Sequence, residues 1–283
     1  MPAVLAVFAH PDDIEFRAAG TLLLLRDRGW DIHYCNLSNG DLGSSTLSRK
    51  TTAETRAREA QASCRSMDFH WHPPIASDLC IFYTDAHIRR VAALVRTVQP
   101  SIVLTHPPVD YMEDHTETCR IAVTAAFSRG MPNYRTIPAR KPTLLPLTLY
   151  HSLPHGLQGP LRQPVRPEFF VDTTSVHARK RAGLAAHASQ KEWLDVSQGM
   201  ESYLISLDQG DAQVGLWSGR FTKAEGWTRH LHLGFGAEAD DPLQEALGNF
   251  LCRPAPRPPA PMNQRRAARA VPSEPRSARS KRP

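Results

Sequence analysis

The sequence VLAVFAHPDDIE, residues 4–15, places an apolar run directly before an imidazole and two carboxylates. The apolar run predicts a buried strand, and the pattern of residues 16–28 that follows predicts a helix. Pro11 keeps His10 out of helical geometry and stiffens the turn between these two elements. Because ligands of open α/β sheets bind outside the carboxyl ends of the strands, we expect this turn to hold a metal and a general base.

The rest of the chain continues the alternation of strand and helix, with less regularity in its second half. Strands are predicted at 30–37, 69–72, 101–105, 147–152 and 168–171, and helices at 51–67, 85–98, 114–129 and, as one or two helices, 174–207. Residues 227–235 form either a last strand or an irregular segment. Because such alternation implies right-handed crossovers, the predicted fold class is α/β, a Rossmann-like and mostly parallel sheet with helices on both faces.

Composition divides the chain into one domain and a tail. The 283 residues are 41% hydrophobic, which is enough for a real core, and their net charge is +6. Residues 253–283 contain nine Arg and Lys and one acidic residue, so they carry +8 and the preceding 252 residues carry −2. Eight prolines and few apolar side chains predict a disordered basic tail at 253–283, after a single α/β domain at 1–252.

Other features of the composition limit the compartment and the partners. The five cysteines are widely spaced without a CxxC pair, which argues against a disulfide framework. Neither a signal peptide nor an apolar run of about 18 residues occurs, so we expect a cytoplasmic protein without a membrane span. The tail lacks interleaved aromatic residues, so specific nucleic-acid binding is not expected. Formation of a homo-oligomer is left open.

A second polar cluster follows the strand predicted at 101–105. The loop THPPVDYMEDH contains two histidines and two aspartates, His106, Asp110, Asp114 and His115. Because the carboxyl ends of parallel strands share one edge of a sheet, this cluster and the first turn can meet. Two histidines and an aspartate form the ligand set of a hydrolytic zinc site, where the ion lowers the pKa of a water towards about 7. A neighbouring carboxylate that is not a ligand would then be the general base.

Ordinary structural uses of the same residues compete with a metal site. Asp12 or Asp13 could cap the first helix, and Asp114 with Glu117 fits a capping box. His115 alone could be a surface or core histidine. The occurrence of two clusters, each at the end of a strand, favours the metal site.

The AHPDD and DH motifs together resemble those of the PIG-L/LmbE-like zinc-dependent de-N-acetylases, in particular the N-acetylglucosaminyl deacetylase type. The resemblance covers about residues 3–235. It includes the segments SNGDLG (38–43), TRAREAQ (55–61), KRAGLAAHASQ (180–190) and EGWTRHLHLGF (225–235). It implies a hydrolase that uses a metal-activated water to remove the N-acetyl group from an N-acetylglucosamine-type amino-sugar derivative.

The resemblance also implies roles for individual residues. His10, Asp13 and His115 would ligate Zn²⁺, or another divalent transition metal, and Asp12 would deprotonate the water. Asp114 would orient or assist its neighbouring ligand. The expected substrate contacts are Arg56, Glu15 and Asp41, and for Glu15 bracing of the turn is the alternative. For Arg56 a solvated helix face is the alternative.

One position departs from the family pattern. The family commonly has HxDH, where the first histidine stabilises the oxyanion or protonates the leaving amine, whereas this chain has Met112 at that place. Methionine donates no hydrogen bond. A branch of the family does resemble DYMxDH, so an active enzyme is still expected. Another group would then supply the missing function, and the candidates are His187, placed among the catalytic residues, His106 and Tyr111.

Two other functions stay open beside de-N-acetylation. The first is an amidase that cleaves a different C–N bond, such as that of a thiol conjugate. The second is a non-catalytic relative that binds a metal or a sugar. Asp12 and all three proposed ligands are present, which favours an enzyme, because a decayed site would be expected to lose its ligands first.

Overall fold

An eight-stranded sheet organises the structure, a computed structural model that describes residues 1–190, 193–194 and 203–254. Its strands are β1 (Ala3–Phe8), β2 (Asp31–Asn36), β3 (His70–His72), β4 (Ile102–Thr105), β5 (Thr148–Ser152), β6 (Phe169–Asp172), β7 (Ala224–Arg229) and β8 (Leu251–Cys252). The helices are α1 (Asp13–Arg17), α2 (Ala19–Arg26), α3 (Arg49–Met67), α4 (Asp85–Val98), α5 (Glu113–Phe127), α6 (His177–Ala185), α7 (Tyr203–Ser218) and α8 (Pro242–Leu247).

The strand order is β3-β2-β1-β4-β5-β7-β6-β8. Neighbours from β3 to β5 pair in parallel, whereas β7 pairs antiparallel with β5 and β6, and β8 antiparallel with β6. The predicted α/β class with a mostly parallel sheet is therefore confirmed. Chain order reverses direction between β1 and β4, so the loops after these two strands flank a topological switch point, where α/β folds bind ligands.

The central strand β1 explains why the opening apolar run shows no alternation. All six of its residues are buried, because helices cover both faces of a parallel sheet. Successive side chains point to opposite faces, so Phe8 packs into one hydrophobic core and Val7 into the other. The strand thus holds the following turn, residues 9–13, between two packed layers.

The single helix predicted at 16–28 is wrong, because two short helices, α1 and α2, occupy this region. The break falls at Ala18, with φ −137°. The Glu225 carboxylate of β7 accepts hydrogen bonds from the backbone N–H groups of Gly20 and Thr21, both at 2.8 Å. A Cβ atom on Gly20 would lie 2.5 Å from the side chain of Thr173, so only glycine fits this approach. A partner about 200 residues away therefore starts α2 separately.

Most other predicted elements agree with the structure, and the differences fall in the second half. The helix predicted at 85–98 coincides with α4, and the segment 227–235 contributes only the end of β7 to the sheet. The helix predicted at 174–207 corresponds to α6 and the start of α7, with residues 191–192 and 195–202 outside the described part. Helix α8 and strand β8 were not predicted.

The cysteines, the helices and the basic tail were the features from which the sequence analysis predicted the cellular compartment and the partners. All five cysteines are free. Among the described residues, no helix combines the length and the apolar character that a membrane crossing needs. The basic tail predicted to be disordered lies outside the described residues from position 255 onward.

Candidate metal centre and its cavity

The turn after β1 presents its side chains through an unusual backbone conformation. Asp12 has φ +111°, a region that residues other than glycine rarely adopt and that is strained. It occupies the position before α1, but its side chain makes no capping hydrogen bond. Asp114 likewise lies inside α5, whose capping position is held by Met112. The capping interpretation is therefore wrong for Asp12 and Asp114, and both carboxylates are directed elsewhere.

Three side chains from the two sequence clusters come together at the switch point. The potential ligand atoms of His10, Asp13 and His115 all lie within 4.8 Å of one another. Asp13 Oδ2 is 3.4 Å from His10 Nδ1 and 3.5 Å from His115 Nε2. Because β1 and β4 are adjacent and parallel, the turn after β1 and the start of α5 meet at one sheet edge. Two imidazoles and one carboxylate form a donor set that suits a zinc-type ion.

A second carboxylate stands behind each of the two histidines. Asp114 Oδ2 lies 3.0 Å from His10 Nε2, and it also accepts the backbone N–H of Leu79 at 2.8 Å. Asp110 Oδ1 lies 3.2 Å from His115 Nδ1. Each histidine thus has one ring nitrogen near a supporting carboxylate and the other near Asp13. This is the arrangement by which outer carboxylates orient metal-binding histidines.

The electrostatics of the cluster favour a cation at its centre. Burial opposes a charge on His10, yet the hydrogen bond to Asp114 and the nearby Asp13 raise its pKa to about 10. Burial likewise opposes charge on Asp13, but His115 and His10 hold the pKa of Asp13 well below its usual range. Among the described residues, His115 Nδ1 and Asp110 Oδ2 are buried without a hydrogen-bond partner. Three carboxylates, those of Asp13, Asp110 and Asp114, converge on two imidazoles, so the charge of this cluster suits a divalent cation.

Asp12 lies next to this cluster without belonging to its three donors. Tyr203 donates a hydrogen bond of 2.6 Å to Asp12 Oδ2, and Arg56 Nη2 lies 3.6 Å from the same oxygen. Burial raises the pKa of Asp12 to about 6, although Arg56 opposes the rise. Arg56 is only 3% exposed and donates to the Pro11 carbonyl oxygen at 2.6 Å, so the alternative of a solvated helix face is wrong for it.

These groups surround a cavity of about 260 Å³ at the carboxyl edge of the sheet. Its floor contains the three potential metal ligands together with Asp12 and Arg56. The remaining wall is largely apolar or aromatic and includes Phe16, Leu42, Leu79, Tyr111, Met112, His155, Leu194 and Trp193, beside Gly43, Asp78 and Gln190. A concave site with an apolar wall and a few convergent polar groups is typical of a small-molecule pocket.

Two predicted site residues lie behind this cavity. Glu15 is fully buried and accepts hydrogen bonds from Tyr34 at 3.0 Å and Ser63 at 2.5 Å. His187 is fully buried as well, with Nε2 3.0 Å from Glu15 Oε1. The expected substrate contact of Glu15 and the expected catalytic contact of His187 are therefore corrected. Their charges are paired with each other, because an isolated carboxylate inside the core would be costly.

The other expected contacts also take structural partners. Asp41 accepts hydrogen bonds from Arg49 at 2.6 Å and from the backbone N–H of Asp78 at 3.0 Å, and it does not line the cavity. We correct its expected role as well, since it holds the loop whose next two residues form part of the wall. His106 accepts the backbone N–H of Ala9 through Nε2 and is 2% exposed, so it lies beneath the cavity.

Sequence reasoning missed several residues of the wall, above all His155. It follows β5, which pairs in parallel with β4. The strand-end argument that identified the first two clusters therefore applies to this loop too. Asp78 carried no comparable signal, because its position depends on how the loops fold over the sheet edge.

Comparison with protein families matches residues 5–127 to PIG-L, described as GlcNAc-PI de-N-acetylase. Two similar proteins align with about two thirds or more of this chain. Diacetylchitobiose deacetylase of Thermococcus kodakarensis is 26% identical over 211 residues, 72% of this chain and 75% of that protein. The 4-oxalmesaconate hydratase of Pseudomonas putida is 28% identical over 204 residues, 67% of this chain and 74% of that protein.

Solved structures show the same architecture. The 4-carboxy-2-hydroxymuconate hydratase GalB of Pseudomonas putida superposes with a TM-score of 0.66 at 25% identity, covering 85% of this chain and 99% of that one. The N,N′-diacetylchitobiose deacetylase of Pyrococcus horikoshii superposes with a TM-score of 0.66 at 21% identity, covering 82% of this chain and 84% of that one. One architecture therefore accompanies both a hydratase and a deacetylase among the solved structures.

Proposed function

Since this chain belongs to the PIG-L family of de-N-acetylases, we propose that it is a metal-dependent hydrolase that removes the N-acetyl group of an N-acetylglucosamine-type amino sugar. The observation that carries the proposal is the position of Asp12. This buried carboxylate lines the same cavity as His10, Asp13 and His115 but is outside their donor set. Metal-assisted amide hydrolysis needs a general base next to the metal ligands, and Asp12 has this position.

The residues present fit a divalent ion, for which we propose Zn²⁺. His10, Asp13 and His115 would hold it, with Asp114 and Asp110 orienting the two imidazoles. When bound, such an ion supplies positive charge that acidifies a water and polarises the amide carbonyl. Two imidazoles and one carboxylate are a set of protein donors that catalytic zinc sites use.

Asp12 would accept the proton of the attacking water. Tyr203 and Arg56 both contact Oδ2, which leaves Oδ1 without a hydrogen bond among the described residues. The Tyr203 hydroxyl fixes the carboxylate, and the strained backbone of Asp12 aims it at the cavity. As the carbon–nitrogen bond breaks, the same carboxyl group can return the proton to the amine nitrogen, so acetate and a free amine leave.

Arg56 and the apolar wall would position the sugar. Arg56 lines the cavity while its guanidinium is tied to the Pro11 carbonyl oxygen, so it presents a fixed cation beside Asp12. Trp193 and Tyr111 offer aromatic faces for the apolar side of a sugar ring. A small amino sugar is accordingly the proposed partner.

The test measures metal content and acetate release with the purified full chain. We expect about one bound zinc per chain and acetate release from N-acetylglucosamine or N,N′-diacetylchitobiose, which Asp12→Asn abolishes while the metal stays bound. A fully metal-loaded wild type that releases no acetate from any N-acetyl sugar would contradict the proposal. Release of an amine from a thiol conjugate instead would support the alternative amidase.

Water addition to a carbon–carbon double bond is the second candidate, because one relative is a hydratase and Met112 removes the family's usual imidazole. The same base and cation could deliver water to an alkene conjugated with a carboxylate. The decisive measurement incubates one preparation with an unsaturated oxo-acid and with N-acetyl sugars. Loss of ultraviolet absorbance without acetate release would establish the hydratase, and the opposite result the deacetylase.

A further inference from the structure

Met112 leaves an apolar spot in the reactive part of the cavity. Met112 lines the cavity together with Asp12 and His115. In the sequence it precedes His115 by three residues. A thioether accepts hydrogen bonds weakly and donates none. Hydrolysis of an amide places negative charge on the acyl oxygen, and a site without a donor there forgoes a large part of its rate.

The three candidates expected from the sequence do not fill this role. His187 is fully buried against Glu15. His106 uses Nε2 to accept the Ala9 N–H and lies outside the cavity wall. Tyr111 lines the cavity but is 55% exposed, so water competes for its hydroxyl.

His155 is a third imidazole of the cavity, beside His10 and His115. It follows β5, which continues the parallel run of β1 and β4, so its loop projects from the sheet edge that carries His10 and His115. Its ring meets the edge of Phe16 at 4.9 Å and 89°, a contact that limits its rotation. His155 is partly exposed, and no hydrogen bond to its ring occurs among the described residues.

The surroundings keep this imidazole neutral. Burial and the nearby Arg17 cation lower the pKa of His155 to about 4, against a smaller opposing effect of Asp13. A neutral imidazole carries one N–H donor and does not repel a metal ion. Neutral imidazoles of this kind polarise carbonyl groups in other enzymes without giving up their proton.

We propose that His155 donates a hydrogen bond to the acyl oxygen of the substrate and thereby performs the function that Met112 cannot. This inference rests on the proposed hydrolase. The hydrogen bond strengthens as the carbonyl carbon becomes tetrahedral and the oxygen gains charge, and the proton stays on His155 throughout. Asp12 alone moves protons between water and the amine.

The test compares kcat and KM for acetate release in three variants. His155→Phe should lower kcat by about 10²–10³-fold with little change in KM, Tm or metal content, since one oxyanion donor is removed. Met112→His in the same chain should restore kcat at least tenfold, because it returns an imidazole to the family's position. His70→Phe, on the exposed edge strand β3, is the matched control and should match the wild type. A kcat loss below threefold in His155→Phe, or no rescue by Met112→His, overturns the proposal.

A binding measurement keeps the inference separate from the proposed function. Sodium acetate, which carries the acyl oxygens, is titrated into histidine-labelled, zinc-loaded protein, and the ring nitrogen resonances are followed by NMR. We expect acetate to shift a resonance that is missing in His155→Phe. If the wild type releases no acetate from any amide, the proposed hydrolase fails while this shift still supports His155 as the oxygen-binding group. Saturating acetate without any shift of that resonance overturns the role of His155.

Discussion

Two buried charged clusters of this molecule are built from similar side chains but differ in how completely they are paired. In the first, Lys180 is fully buried, and its Nζ lies 2.9 Å from Asp211 Oδ1 and 2.8 Å from Glu225 Oε1. Glu225 also accepts the two backbone N–H groups that begin α2. Every charge of this cluster has a counter-charge within hydrogen-bond distance, which is the pattern of a structural ion pair.

The second cluster, at the switch point, is incompletely paired. Asp13, Asp110 and Asp114 converge on two imidazoles, while Asp110 Oδ2 and His115 Nδ1 are buried without a hydrogen-bond partner in the described chain. It borders a cavity of about 260 Å³, whereas Asp211 and Glu225 of the Lys180 cluster line a cavity of only about 10 Å³. Burial of charge by itself therefore does not mark a functional site, and the cluster at the switch point differs in bordering a cavity large enough for a small molecule.

The largest expected effect comes from the base at the switch point. Asp12→Asn should lower kcat by about 10²–10⁴-fold, because the amide cannot accept the proton of water. Burial disfavours the charged form of Asp12, so the free energy of unfolding should stay unchanged or rise. Steady-state kinetics and urea unfolding measure the two quantities. Asp27→Asn, at an exposed position, is the control, and equal kinetics of the two variants would contradict the assignment of Asp12.

The structural cluster should respond in the opposite way. Lys180→Met should lower the free energy of unfolding by about 3–5 kcal/mol, because Asp211 and Glu225 lose their shared cation inside the core. Metal content of the folded fraction should not change. Urea unfolding measures the loss. The neighbouring Arg179→Met removes an exposed pair with Asp27 and should cost at most about 1 kcal/mol. Equal losses in both variants would refute the distinction.

A smaller effect is expected for the support of a metal ligand. Asp114→Asn should weaken zinc binding by about 10–100-fold, because the carboxylate behind His10 Nε2 loses its charge. Competition with a chromophoric chelator measures the affinity. Glu117→Gln, which removes an ion pair with Arg120 on the same helix, should bind zinc as the wild type does. An unchanged affinity in Asp114→Asn would mean that Asp114 acts on the loop through Leu79 alone.

The smallest expected effect is a pH dependence of the free energy of unfolding, caused by His177, which contacts Asp211 of the Lys180 cluster. The hydrogen bond to Asp211 raises the pKa of His177, against partial burial, and Asp208 adds to the rise. A raised folded-state pKa stabilises the protein below the usual histidine pKa of about 6.5, and this stabilisation is lost as pH rises through the folded-state value. The difference in unfolding free energy between the wild type and His177→Gln should be largest below the usual histidine pKa of about 6.5 and shrink as pH rises through the folded-state value. A constant difference would contradict the assignment.

The outcome for the predicted elements separates local from distant causes. The apolar run of β1, the amphipathic pattern of α4 and the placement of two polar clusters after β1 and β4 follow from periodicity within short windows. The break between α1 and α2 does not, because the Glu225 carboxylate that causes it comes from β7, about 200 residues further along the chain. The sequence around residue 18 contains no pattern from which a partner so distant in the chain could be predicted.

The site shows the same division. The proposed ligands and Asp12 could be named from the sequence, because strand ends of a parallel sheet share an edge and two clusters at such ends can meet. Glu15 and His187 were expected at the cavity, but they lie behind it. They pair with each other in the core, although more than 170 residues separate them in the sequence. His155 lines the cavity although the sequence analysis did not predict it. Its loop reaches this edge of the sheet because β5 pairs in parallel with β4.

By itself, the sequence determined the class of fold, the edge of the sheet that carries chemistry and the kind of residues assembled there. These depend on hydrophobic periodicity and on residue types within a few positions of a strand end. The tertiary structure decided which polar side chains face the cavity and which are paired in the core. That choice depends on finding a partner for every buried charge, and the partners come from anywhere in the chain.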